Sequence, residues 1–78
     1  MAFSDNLRKA RKRLHKSQTA LSGETGVSVA AICKYESGMM LPTVVTAAEL
    51  AKALNVTMEF LVYGKEANQN ERKQAGDM

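Results

Sequence analysis

Six cations, Arg8, Lys9, Arg11, Lys12, Arg13 and Lys16, fall within the first sixteen residues against a single acid, Asp5. Cations gathered in this way attract phosphate polyanions or anionic lipid, although a solvated helix face would carry the same run without any partner. The rest of the chain is slightly acidic, so the net charge is only +3. Placement, not total charge, is the signal.

Groups that catalyse or hold metals are sparse. Cys33 is the only cysteine and His15 the only histidine. No internal disulfide is possible, and neither residue has the second ligand at the spacing a zinc site needs. Cys33 reads as a packing or surface thiol rather than a nucleophile, and His15 as a turn residue rather than a metal ligand. Paired carboxylates in a pocket, a Ser/His/Asp set and a glycine-rich phosphate loop are all missing from the pattern, so neither an enzyme nor a cofactor is expected. Met39, Met40 and Met58 read as core or interface packing, because thioethers fill irregular gaps, and they imply no small-molecule effector.

Helices must position these groups. Phe3, Leu7, Ala10, Arg11 and Leu14 recur at spacings of three and four, which predicts a first helix over residues 4–14, narrow in its apolar stripe and capped by Ser4. Ser17 offers its hydroxyl to the free N–H groups of a second helix, residues 18–25. Gly26 takes the left-handed conformation that ends it, Val27 turns inward, and Ser28 caps a third helix over residues 29–37 with Ile32 and Tyr35 on its core edge. Gly38 closes that helix, and Pro42, the only proline, suits the loop that follows or the start of the next helix. A fourth helix begins near Thr43 and runs to Leu54, ending at Asn55, and Thr57 caps a fifth over residues 58–62 that gives Phe60 and Leu61 to the core. Val62 and Tyr63 either complete that core or form an exposed patch for a partner. Gly64 stops the helix, and the polar residues 65–78 are expected to be disordered, with 66–74 at most a frayed helix.

The expected architecture is therefore all-α: one five-helix domain over residues 1–64 and a polar tail over 65–78. At 78 residues neither a second domain nor a deep catalytic cleft is expected, and 45% apolar with 24% charged residues fits a globular chain. The first residues lack the apolar core of a signal peptide, and no window approaches the roughly 20 apolar residues that span a bilayer. With one lone cysteine, a reducing cytoplasm is the expected compartment.

Gln18, Leu21, Ser22, Gly26, Val27, Ile32 and Tyr35 together resemble the helix-turn-helix of the Cro and phage-repressor (Xre-like) family of transcription regulators. The likeness runs from Phe3 to Gly64 and takes in the stretch from Leu50 to Val56 with Phe60 and Leu61. Each spacing has a reason: Leu21 and Ile32 face a shared core, Ser22 is small where two helices cross, and Gly26 permits the turn.

What the resemblance implies is double-stranded DNA, with the second helix across the backbone and the third in the major groove. By position, Ser17 and Gln18 match phosphate-holding sites, while Ser28, Val29, Ala30, Ala31 and Lys34 match groove-facing ones. Ser37 and Thr43 complete the implied DNA-binding set. Arg11 and Glu36 match a pair that joins the first helix to the third. Valine and alanine in the reading turn are a departure, because they touch thymine methyls or fit shape but form no bidentate bonds, which leaves Lys34 as the one strong donor. Met39 and Met40 stand where the family often has cations. Lys16 stands where it usually has an apolar residue, and His15 where it usually has glycine, which predicts a strained or rearranged first turn. A homodimer on a palindromic operator, repressing by occupancy, is the implied mechanism. The rival readings are a protein-interaction or antitoxin-type module that kept the fold, and a membrane-surface peptide, against which the narrow apolar stripe argues.

Overall fold

Ser17, Ser28, Thr43 and Thr57 each start a helix in the same way, the side-chain oxygen accepting a hydrogen bond from the backbone N–H three residues on, at Ala20, Ala31, Thr46 and Phe60. Such a cap contributes about 1 kcal/mol by satisfying one of the donors a helix leaves free at its start. In the computed structural model, which describes residues 2–64, these caps separate α1 (Phe3–Arg13), α2 (Gln18–Thr25), α3 (Val29–Ser37), α4 (Val44–Leu54) and α5 (Met58–Tyr63). The expected tail, residues 65–78, lies outside the described residues.

The start of α1 corrects the expectation for Ser4. Ala2 occupies the cap position without a side-chain bond, and the Asn6 N–H already bonds the Ala2 carbonyl at 3.1 Å. Phe3 packs against the core, so winding begins there and Ser4 falls inside the first turn. The far end differs too. α1 stops at Arg13, which leaves Leu14 40% exposed instead of extending the apolar stripe. At the other end of the chain α5 runs one residue past the expected Val62, and both Val62 and Tyr63 are exposed.

Leu7, Leu21, Ile32, Leu50, Leu54 and Leu61 are fully buried, so every helix sends at least one leucine or isoleucine inward. Each such side chain contributes about 1.5–3 kcal/mol relative to exposure. α1 packs on α3 and α5, α2 on α3 and α4, and α4 on α5, so the α2–α3 pair is braced from both sides. Asn6 and Glu36 are the buried polar residues among those described. Asn6 joins two helices. Its Nδ2 donates to the Leu61 carbonyl at 2.9 Å, tying α1 to α5, and a Cβ on Gly64 would come within 3.3 Å of its Oδ1.

The α1–α2 turn is held by unusual means. His15 takes a positive φ of 57°, a conformation that L side chains rarely adopt. Lys16 then runs its stem across the surface so that Nζ donates to Glu24 Oε1 at 2.6 Å and to the Ala53 carbonyl at 3.1 Å, linking α2 with α4. A lysine thus occupies a half-buried position by carrying its charge to the rim. Among the described residues no helix is long and apolar enough to cross a membrane.

Candidate nucleic-acid interface

The turn between α2 and α3 is built from the sequence Thr25, Gly26, Val27, Ser28. Gly26 has φ 80°, and its N–H bonds the Ser22 carbonyl at 2.8 Å to close α2. A side chain there would be strained, which is why glycine stands at this position. Thr25 Oγ1 donates to the Leu21 carbonyl and accepts from the Val27 N–H at 3.1 Å, so the turn is bonded on both sides. Val27 packs on the core, and Leu21 and Ile32 are buried between the two helices. With these contacts fixed, the opposite face of α3 must point outward.

That outer face carries Ala30, Cys33, Lys34 and Ser37, all exposed. Val29, 39% exposed, flanks it, while Ala31 turns partly into the core, so the expected reading turn is narrower than the resemblance implied. Ser17, Ser28 and Thr43 are exposed, but each hydroxyl already accepts from its own helix. Ser37 Oγ donates to the Lys34 carbonyl at 3.1 Å, and Thr43 Oγ1 donates to Thr46 Oγ1 at 3.2 Å, which leaves Thr43 engaged with α4 alone. Lys34 has no ion-pair partner among the described residues.

Behind α3 lies the fork between Arg11 and Glu36. Arg11 Nε donates to Glu36 Oε2 at 2.7 Å and Nη2 to Oε1 at 2.9 Å, while Nη1 donates to the Lys16 carbonyl at 2.8 Å. Glu36 is buried, and hydrogen bonding to its carboxylate, opposed by desolvation, holds the Arg11 pKa above its ordinary value. Gln18 also uses this carboxylate, Nε2 donating to Oε1 at 3.1 Å. Arg8 donates to the Glu36 backbone carbonyl at 3.0 Å and to Asp5 Oδ1 at 2.9 Å. Spacing along the chain carried no sign of the Gln18 bond, which depends on how α2 crosses α3.

These contacts leave an open hollow of about 270 Å³ between α1, the start of α2 and the outer face of α3. Gln18 and Ser37 meet there, beside Lys12 and Cys33, which sequence reasoning had not assigned to the interface. The four-residue spacing of Arg8 and Lys12 on one side of α1 was the available signal. No cluster of three metal-ligating side chains occurs among the described residues. A second, larger groove of about 380 Å³ is apolar and lies away from α2 and α3, lined by residues of α1, α4, α5 and the α3–α4 loop, among them Phe3, Leu41, Val44, Met58 and Val62.

Comparison with known proteins places this arrangement. A helix-turn-helix family profile matches residues 7–61. Over 61 residues the chain is 34% identical to the cryptic phage CTXphi transcriptional repressor RstR of Vibrio cholerae, an alignment covering 78% of this chain and 54% of RstR. The chain thus spans about half the length of that curated relative. The P22 c2 repressor, solved in complex with synthetic operator 9T, superposes with a TM-score of 0.79 at 31% identity, covering 83% of this chain and 98% of the repressor. The restriction-modification controller protein C.AhdI from Aeromonas hydrophila superposes with a TM-score of 0.72 at 27% identity, covering 76% and 89%. With the profile spanning α1 to α5 and the α2–Gly26–α3 geometry in place, the chain belongs to the Cro and phage-repressor family of helix-turn-helix proteins.

Proposed function

We propose that the chain binds double-stranded DNA sequence-specifically and regulates transcription, acting as a repressor by covering its site. One observation carries this reading: a braced α2–α3 pair exposes the α2 N-terminus and the outer face of α3, in a fold that superposes on a repressor solved on a synthetic operator. Free N–H groups and the helix dipole at the start of α2 favour a phosphate, with Ser17 and Gln18 nearest to it. The outer face of α3 enters the major groove, where Val29 and Ala30 contact thymine methyls or fit shape, and Lys34 donates to a base or an adjoining phosphate. Ser28, Ala31, Ser37 and Thr43 are positioning residues at the margin of that contact. Residues 1–64 form the DNA-binding unit.

The chain acts as a homodimer in this reading. One module grips few base pairs, and a two-fold pair doubles the contact. The apolar face around Leu41, Val44, Val45, Val62 and Tyr63 supports a second copy, since these side chains are 49–73% exposed and the groove beside them is lined by no residue of α2 or α3. A face without charge lets two copies of a +3 chain meet without opposing like charges.

The same apolar groove, together with the weakly polar reading turn, favours one rival, a module whose partner is a protein. Selection of bound sequences from a random duplex pool, at two salt concentrations, separates the two. The expected result is an enriched palindrome whose affinity falls steeply with salt as phosphate contacts release counterions. No enrichment at either salt would replace the DNA reading with the protein-partner one.

A further inference from the structure

We propose that Lys12 and the hollow at its foot form a seat for one DNA backbone phosphate, so that α1, outside the helix-turn-helix itself, supplies a direct ionic contact. This rests on the DNA-binding reading and assigns a site within it.

Charge comes first. Three cations, Arg8, Arg11 and Lys12, and one carboxylate, Glu36, line the hollow, which therefore carries a net positive charge. Two of the cations are committed. Arg11 spends its fork on Glu36, and Arg8 is divided between Asp5 and a backbone carbonyl. The Lys12 side chain is exposed and makes no hydrogen bond or ion pair among the described residues. With Glu36 neutralised by Arg11, the Lys12 ammonium is the uncompensated charge of the hollow.

Place comes second. Gln18, the first residue of α2, lines the hollow, as do Cys33 and Ser37 from the outer face of α3. Cys33 and Ser37 are one helical turn apart, so they form the edge of α3 that faces α1. A duplex that admits the outer face of α3 into its major groove lays one strand along this edge, over the start of α2. The Gln18 amide is partly used by Glu36, so it offers a phosphate fewer donors than the resemblance suggested. Lys12 supplies the missing charge from across the hollow. As a point charge with three rotatable donors, a lysine suits a phosphodiester, which needs no fork.

The test compares the salt dependence of binding to the enriched duplex for full-length wild type, Lys12→Gln, Lys12→Arg and, as a cation of α1 outside the hollow, Lys9→Gln. Lys12→Gln should lower the slope of log K against log salt by about 0.9, the value expected when one fewer phosphate is neutralised. Lys12→Arg should restore the slope and Lys9→Gln should leave it as in wild type. Single methylphosphonate substitutions along each strand add an independent readout: one position should weaken wild type and leave Lys12→Gln unaffected. Equal slopes for wild type and Lys12→Gln, or equal losses in Lys12→Gln and Lys9→Gln, would overturn the seat while leaving DNA binding intact. A wild type that binds no duplex would overturn both.

Discussion

Arg11 and Glu36 meet side to side, both carboxylate oxygens accepting from one guanidinium at 2.7 and 2.9 Å, across the joint between α1 and α3. Arg11→Ala would leave a buried carboxylate with only Gln18 to serve it, and a stranded buried charge costs about 3 kcal/mol or more. The expected outcome in urea denaturation is a large loss for each single alanine variant and a double variant far less unstable than their sum. Strict additivity would show that the contact contributes nothing. Because the Arg11 pKa is raised, its share of the stability is fully present below the unfolded arginine value and is lost only as pH rises through the higher folded one, so the loss in Arg11→Ala should stay level through neutral pH.

His15 holds a left-handed conformation without being glycine. His15→Gly removes a steric penalty of about 1–2 kcal/mol and costs part of it back in unfolded-chain entropy. A rise in thermal midpoint is expected, and a fall would mean that the imidazole contributes packing worth more than the strain.

Asn6 supplies the only donor that the structure shows from α1 to the Leu61 carbonyl. Asn6→Leu keeps an apolar bulk there but leaves the carbonyl buried with no donor among the described residues, at about 1–3 kcal/mol. For a domain of this size that corresponds to a lowering of the thermal midpoint by several degrees. An unchanged midpoint would show that water replaces the amide.

Lys34 is the longest donor on the outer face of α3. Lys34→Ala should relax preference at one base pair, by about 1–3 kcal/mol of discrimination, if it reads that base. Uniform weakening across all sequences, seen in the same duplex selection, would reduce it to a phosphate contact.

Cys33 is an exposed thiol on that same face. Alkylation by a maleimide should be rapid in the free protein and slowed when the enriched duplex is bound. Equal rates would move the bound duplex off α3.

Much of this architecture was legible from local chemistry. Ser17, Ser28 and Thr57 announce helix starts because a hydroxyl before an apolar run has one favourable use, and all three cap as expected. Ser4 misled because the same hydroxyl is outweighed when Phe3, just before it, finds a place on the core. Side chains bonding across distant parts of the chain were harder to foresee. Asn6 reaches Leu61, and Lys16 reaches Ala53, over separations that no spacing rule covers, and Gln18 turns to Glu36 only because α2 crosses α3 where it does. The exposed face of α3 was readable as a register, whereas the hollow beside Lys12 required three helices to be placed at once.

The small first turn of α3 has a consequence for epigenetic marks. Under the DNA reading, Val29 and Ala30 distinguish bases by a methyl group at the floor of the major groove, and 5-methylcytosine carries that group at the same ring carbon as thymine. A surface of this kind treats the modified cytosine as an apolar match, so cytosine methylation within the operator would change occupancy without changing the sequence.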